Sequence, residues 1–93
     1  MIHGFADKDT EKVWRREVVK RFAAELQRVA HRKLLMLDAA EMLSDLRIPP
    51  GNRLEALRGS RQGQHSIRVN DQWRICFIWT ATGPTDVTID DYH

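Results

Sequence analysis

The chain has one cysteine in 93 residues, so an internal disulfide is excluded, and Cys76 has no partner at the spacing of a zinc site. It is expected to pack as a small apolar side chain. Long apolar runs are missing as well: nothing approaches the length that crosses a bilayer, and Met1 to Asp7 lacks the basic and apolar segments of a secretion signal. The expectation is a cytoplasmic protein without a membrane role. No glycine-rich nucleotide loop, serine triad, cysteine nucleophile or metal-ligand spacing is present, so neither a metal nor a cofactor is expected.

Lysine is absent where positive charge is densest. Residues 47–74 hold Arg47, Arg53, Arg58, Arg61, Arg68 and Arg74 against Glu55 and Asp71, a net of +4, whereas residues 1–46 net +1 and residues 75–93 net −3. An all-arginine block suits phosphate, because the planar guanidinium forks onto an anion in two-point contacts and stacks on bases. A charged fraction of 30% with three Trp and three Phe argues for a folded protein, and a chain this short has one core. Residues 1–93 are therefore read as a single domain.

Patterning predicts an α+β fold. Ile2 to Phe5 reads as a first strand able to pair at a sheet edge. Asp7 caps a helix running to about Val19, with acids in its first turn and bases in its last. From about Phe22 to Leu43 apolar residues recur at three- and four-residue steps, a longer helix that Pro49-Pro50-Gly51 keeps from continuing. Four strands follow: Arg53 to Leu57, Gln64 to Asn70, one from Trp73 with Trp73, Ile75, Phe77 and Trp79 on one face, and one around Val87 and Ile89. Arg58 to Gly63 is a polar connection and Asn70-Asp71 a turn. The architecture is a two-helix hairpin packed on a four-stranded antiparallel meander.

The candidate chemistry lies in the same half. Arg68 and Arg74 flank a tight turn, where they form either a phosphate clamp or a pair of solvated or Asp-bridged surface arginines. Arg58, Arg61 and Arg68, with His65, are the phosphate- and RNA-binding candidates; His65 either stacks on a base or is inert. Asp91-Tyr92-His93 is either an acid, a phenol and an imidazole held together by the strand before them, with a carboxylate beside His93 expected to favour its cationic form, or merely an exposed end. Glu55 is a general base, a partner of Arg74 or only a strand-face charge. A ribonuclease needs no more than a base for the 2′-hydroxyl, an acid for the leaving 5′-oxygen, and cations for the charge building on phosphate.

The runs Pro50-Gly51-Asn52-Arg53-Leu54-Glu55-Ala56-Leu57-Arg58-Gly59 and His65-Ser66-Ile67-Arg68-Val69-Asn70-Asp71-Gln72-Trp73-Arg74-Ile75-Cys76-Phe77, with Asp90-Asp91-Tyr92-His93, resemble the HigB branch of the RelE/ParE toxin superfamily, the plasmid maintenance system killer proteins. The resemblance implies a RelE-like microbial RNase fold and a toxin that enters the A site of the 70S ribosome and cuts mRNA. It implies a HigA-like helix-turn-helix antitoxin as partner, with operator DNA reached only through it. Its catalytic set falls on Asp91, Tyr92 and His93, with Arg58 and Arg74 at its basic positions. The chain departs at Glu55, where some members carry a catalytic histidine; a carboxylate there can serve as base but not as cation, which fits a slow, mild toxin. The alternatives are a ParE-like gyrase poison and a non-catalytic ribosome- or RNA-binding module.

Overall fold

Two helices lie on one face of a four-stranded antiparallel sheet whose order is β1-β2-β3-β4. The computed structural model describes residues 1–91. Helix α1 spans Lys8–Trp14 and α2 spans Ala24–Ala39. The strands are β1, Glu55–Ala56; β2, His65–Arg68; β3, Trp73–Thr80; and β4, Gly83–Asp91.

Asp7 caps α1 as its position suggests, its carboxylate accepting from the Thr10 amide at 3.2 Å. Replacing an acceptor at this position costs about 1 kcal/mol, so Asp7→Ala is expected to lower the free energy of chemical unfolding by that amount. The helix stops at Trp14 and not near Val19. Arg16 is left-handed at φ 63°, and Val19 and Phe22 must leave the helix axis to reach the core, where they are 6% and 4% exposed. The side chain of Gln27 stabilises the departing chain, accepting from the Val19 amide at 3.0 Å and donating to the Glu17 carbonyl at 3.3 Å.

Helix α2 is also shorter than its pattern, ending at Ala39. The carboxylate of Asp45 accepts from the amides of Glu41 and Met42 at 3.0 Å each, which seeds a 3-10 turn, Leu43–Arg47, in place of another helical turn. The stripe read from sequence is the buried one: Leu26, Ala30, Leu34 and Leu37 face Ile67, Ile75, Phe77, Val87 and Ile89 of the sheet in one apolar cluster. Phe22 meets Trp73 edge-on, ring centroids 5.3 Å apart.

The first segment is less than the expected strand over Ile2 to Phe5. It makes one parallel bridge, Phe5 to Val87, with amide–carbonyl bonds from His3 to Pro84 and Ala6 to Val87, and from Val87 back to Gly4. Ile2 is diverted by donating its amide to the Asp38 carboxylate at 2.8 Å. This segment does lie along the outer edge of β4. Gly83 permits that approach, since a Cβ there would sit 2.5 Å from the Met1 carbonyl oxygen. β1 is also shorter than Arg53 to Leu57, because Arg53 is left-handed at φ 46° and cannot extend the strand. The turn at Asn70 forms as expected, its side-chain oxygen accepting from the amides of Gln72 and Trp73.

Candidate functional site

Strand alternation sorts the sheet into two chemistries. Residues directly opposite share a face, so the pairs Glu55–Ser66, Ser66–Cys76, Arg68–Arg74, Cys76–Thr88 and Arg74–Asp90 place all seven on the side away from the helices. The connection 57–64 folds over part of this side. Between them lies a cavity of about 290 Å³ lined by Leu57, Arg58, Arg61, Ser66, Arg74, Cys76, Asp90 and Asp91.

Arg74 is the centre of the site, only 6% exposed. Its Nε donates to Ser66 Oγ at 2.7 Å and one terminal nitrogen donates to the Arg53 carbonyl at 2.9 Å, so two nitrogens of this buried cation are fixed by neutral acceptors. Arg61 bridges to Asp90 at 2.6 Å and donates to the Gln64 amide oxygen at 3.1 Å. The bond to the Asp90 carboxylate holds Arg61 above the ordinary arginine value, so its charge is permanent. Arg58 is exposed and its side chain makes no hydrogen bond or ion pair with the described residues, which leaves it available to an incoming anion.

The structure thus brings Arg58, Arg61, Arg74 and Asp91 together. Asp91 is exposed at the rim and accepts from the Gln72 side-chain nitrogen at 3.0 Å. Glu55 is exposed in an adjoining groove with Ala56, Leu57 and Arg58. Arg68 stands opposite Arg74 in register, yet the two guanidinium groups take different partners: Arg68 pairs with Asp71 while Arg74 turns inward to Ser66. His65 lies on the helix side of β2, stacked on Phe77 at 6.3 Å, and its buried Nδ1 has no hydrogen-bond partner among the described residues. Tyr92 and His93 lie outside the described residues.

Besides Leu57 of the connection, three strand residues of the cavity escaped sequence reasoning: Ser66, Cys76 and Asp90. Alternation alone carried the signal, since each sits out of phase with its apolar neighbours Ile67, Ile75 and Ile89. Burial pushes the Cys76 thiol up to about 11, so at neutral pH it is neither nucleophile nor soft ligand. Folding disfavours its thiolate, so the stability this contributes is complete below the ordinary value of 9.0 and is lost as pH rises through about 11. Denaturant midpoints are expected to fall across that window more steeply in the parent chain than in Cys76→Ala; equal slopes would refute the assignment. Among the described residues no group of three or more His, Cys, Asp or Glu side chains is placed to hold a metal ion, and no helix is long and apolar enough to cross a membrane.

The helix-free face of this α+β domain thus holds an arginine-lined, carboxylate-rimmed cavity. The family follows from comparison over residues 3–93, which match the model described as the RelE-like toxin of the type II toxin-antitoxin system HigB; the chain belongs to this family, and its fold is the RelE-like toxin fold. It is 54% identical over 56 residues to Toxin HigB-1 of Vibrio cholerae, a match covering 60% of this chain and 59% of that relative. It is also 36% identical over 69 residues to an uncharacterized protein of Haemophilus influenzae, covering 74% of this chain and 68% of the relative.

Proposed function

We propose that the chain is the toxin of a type II toxin-antitoxin pair and that it acts as a ribosome-dependent endoribonuclease, cutting mRNA in the A site. The observation that carries this reading is the convergence of Arg58, Arg61 and Arg74 on one cavity whose rim bears Asp91. A buried and pre-oriented guanidinium is what stabilises a phosphorane-like transition state, and orienting it beforehand avoids reorganisation during the reaction. In this scheme a base removes the 2′-hydroxyl proton, O2′ bonds to phosphorus, the P–O5′ bond breaks, and O5′ takes a proton from an acid. The products are a 2′,3′-cyclic phosphate and a 5′-hydroxyl. Arg74 and Arg58 hold the phosphate; Asp91, Tyr92 and His93 handle the protons, as the family resemblance implies, with Glu55 as a further candidate base. An antitoxin carrying a helix-turn-helix is the proposed partner, reaching operator DNA on the toxin's behalf, and the cytoplasm is the proposed location.

The test is to add the protein to ribosomes programmed with mRNA and to map the ends produced. A cyclic phosphate 5′ of the cut is expected, and a single 2′-deoxynucleotide at the scissile position is expected to abolish cutting. Intact mRNA together with unaffected translation in cells would overturn the reading. Gyrase-linked DNA breaks under those conditions would point to the gyrase poison, and ribosome binding without cutting to the non-catalytic module.

A further inference from the structure

Asn52 is a polar side chain in the core, 0% exposed. Burying an amide is unfavourable unless its groups are all bonded, and those of Asn52 are. Its side-chain nitrogen donates to the carbonyls of Leu46 at 3.2 Å and Ile48 at 3.4 Å, and its oxygen accepts from the Lys33 ammonium of α2. That ammonium is half-buried, and burial, with the charges of Arg32 and Arg68, lowers its pKa. The amide therefore ties helix α2 and the 3-10 turn Leu43–Arg47 to the turn Pro50–Asn52.

What the tie fixes is the next residue. Arg53 leaves the turn in the left-handed region, φ 46° and ψ 55°, a conformation that a bulky side chain adopts only where its surroundings hold it. That conformation sends the Arg53 carbonyl to the guanidinium of Arg74, 2.9 Å away. Two backbone bonds hold the turn otherwise, Asn52 to Pro49 and Arg53 to Pro50. We propose that Asn52 is a positioning residue for Arg74, acting through the Arg53 carbonyl to set the direction of the cavity's buried guanidinium, with Lys33 holding the amide from α2. This rests on the ribonuclease reading for its functional consequence, but the geometric claim stands apart from it.

Two measurements on the full chain test the proposal. In proton–nitrogen correlation spectra the Arg74 Nε–H signal, assigned by its disappearance in Arg74→Lys, is expected to be protected from solvent exchange. In Asn52→Ala its exchange is expected to rise about tenfold or more while the β3 amides keep theirs, as for a local opening. A folded Asn52→Ala whose Arg74 signal and exchange match the parent overturns the proposal whether or not the protein cuts RNA. In the cleavage assay Asn52→Ala is expected to lower kcat about tenfold in the parent, since small misplacements of a reacting group are costly, and to have no further effect in the Arg74→Lys background. An equal loss in both backgrounds means that Asn52 acts elsewhere and overturns the proposal. If Asn52→Ala fails to fold, Lys33→Met removes only the outer support; it is expected to raise Arg74 exchange by a smaller factor, and an unchanged signal overturns the proposal. If Arg74→Lys leaves cleavage unaltered, Arg74 has no part in the reaction, and if the parent cuts no RNA the ribonuclease reading fails; in either case the exchange experiment alone decides the positioning role.

Discussion

Arg74→Ala is expected, on the proposed endoribonuclease function, to reduce mRNA cleavage by about a hundredfold to a thousandfold, the range for removing one pre-oriented donor from a site where charge develops. The reason lies in its burial. Arg74 is the one cavity arginine that is nearly inaccessible, and its Nε and one terminal nitrogen are already committed to Ser66 and the Arg53 carbonyl. The guanidinium is therefore aimed before substrate arrives, and its orientation costs nothing during the reaction. Arg74→Lys keeps a charge but not the fork, so it is expected to recover less than tenfold of the loss. Arg58→Ala is the contrast: the side chain is exposed and has no hydrogen bond or ion pair with the described residues, so the substitution is expected to raise KM with little change in kcat and to reduce the salt dependence of binding by about one ion. Stability must be measured alongside, because Arg74→Ala strips the buried Ser66 hydroxyl of its donor, at a cost of about 1–3 kcal/mol. A cleanly folded Arg74→Ala that cuts at the parent rate would remove the arginine from the mechanism.

How much of this was legible in the sequence varied with the range of the interactions. The apolar stripe of α2 and the alternation of β3 are local periodicities, and they located Leu34, Leu37, Ile75 and Phe77 in the core. Helix ends were less legible. Those of α1 and α2 were decided by Gln27 and Asp45, side chains that bond a backbone segment several residues away, and no periodicity reports such a choice. The strand expected over Ile2 to Phe5 contracted to a single bridge for a similar reason, since Asp38 of α2 takes the Ile2 amide.

For the site, composition identified the arginines but not their assignments. Arg68 and Arg74 are cross-strand neighbours, as the tight turn between them required, yet Asp71 engages one and Ser66 the other. The pairing of Arg61 with Asp90 spans 29 positions and depends on the connection 57–64 folding back over the sheet. Only register reveals it. Asn52 was the least visible, because a polar residue after Pro49-Pro50-Gly51 reads as a solvated turn, and its burial depends on how α2 packs over it.

The largest stability effect is expected at Phe77, the bulkiest fully buried side chain, on the face of β3 opposite Arg74 and Cys76. Phe77→Ala removes a ring that the core cannot refill and is expected to cost about 3–5 kcal/mol. Against a total of about 5–15 kcal/mol for a domain, that lowers the melting temperature by on the order of 20 °C. Phe77→Leu keeps most of the volume and is expected to cost less than half as much, whereas Leu35→Ala, at a side chain 47% exposed, changes little. The ring also sits where β3 bulges, between Cys76 and Ile78, so the cavity left in the core adjoins the strand segment that presents the site's arginine. Loss of packing here is therefore expected to lower cleavage even in molecules that remain folded, through looser placement of Arg74. The two variants separate the two faces of one strand: Arg74→Ala loses rate far more than stability, and Phe77→Ala loses stability far more than rate. Thermal melts and single-turnover cleavage on both proteins check this directly, and a cost below about 1 kcal/mol for Phe77→Ala would mean the ring is not the centre of the core.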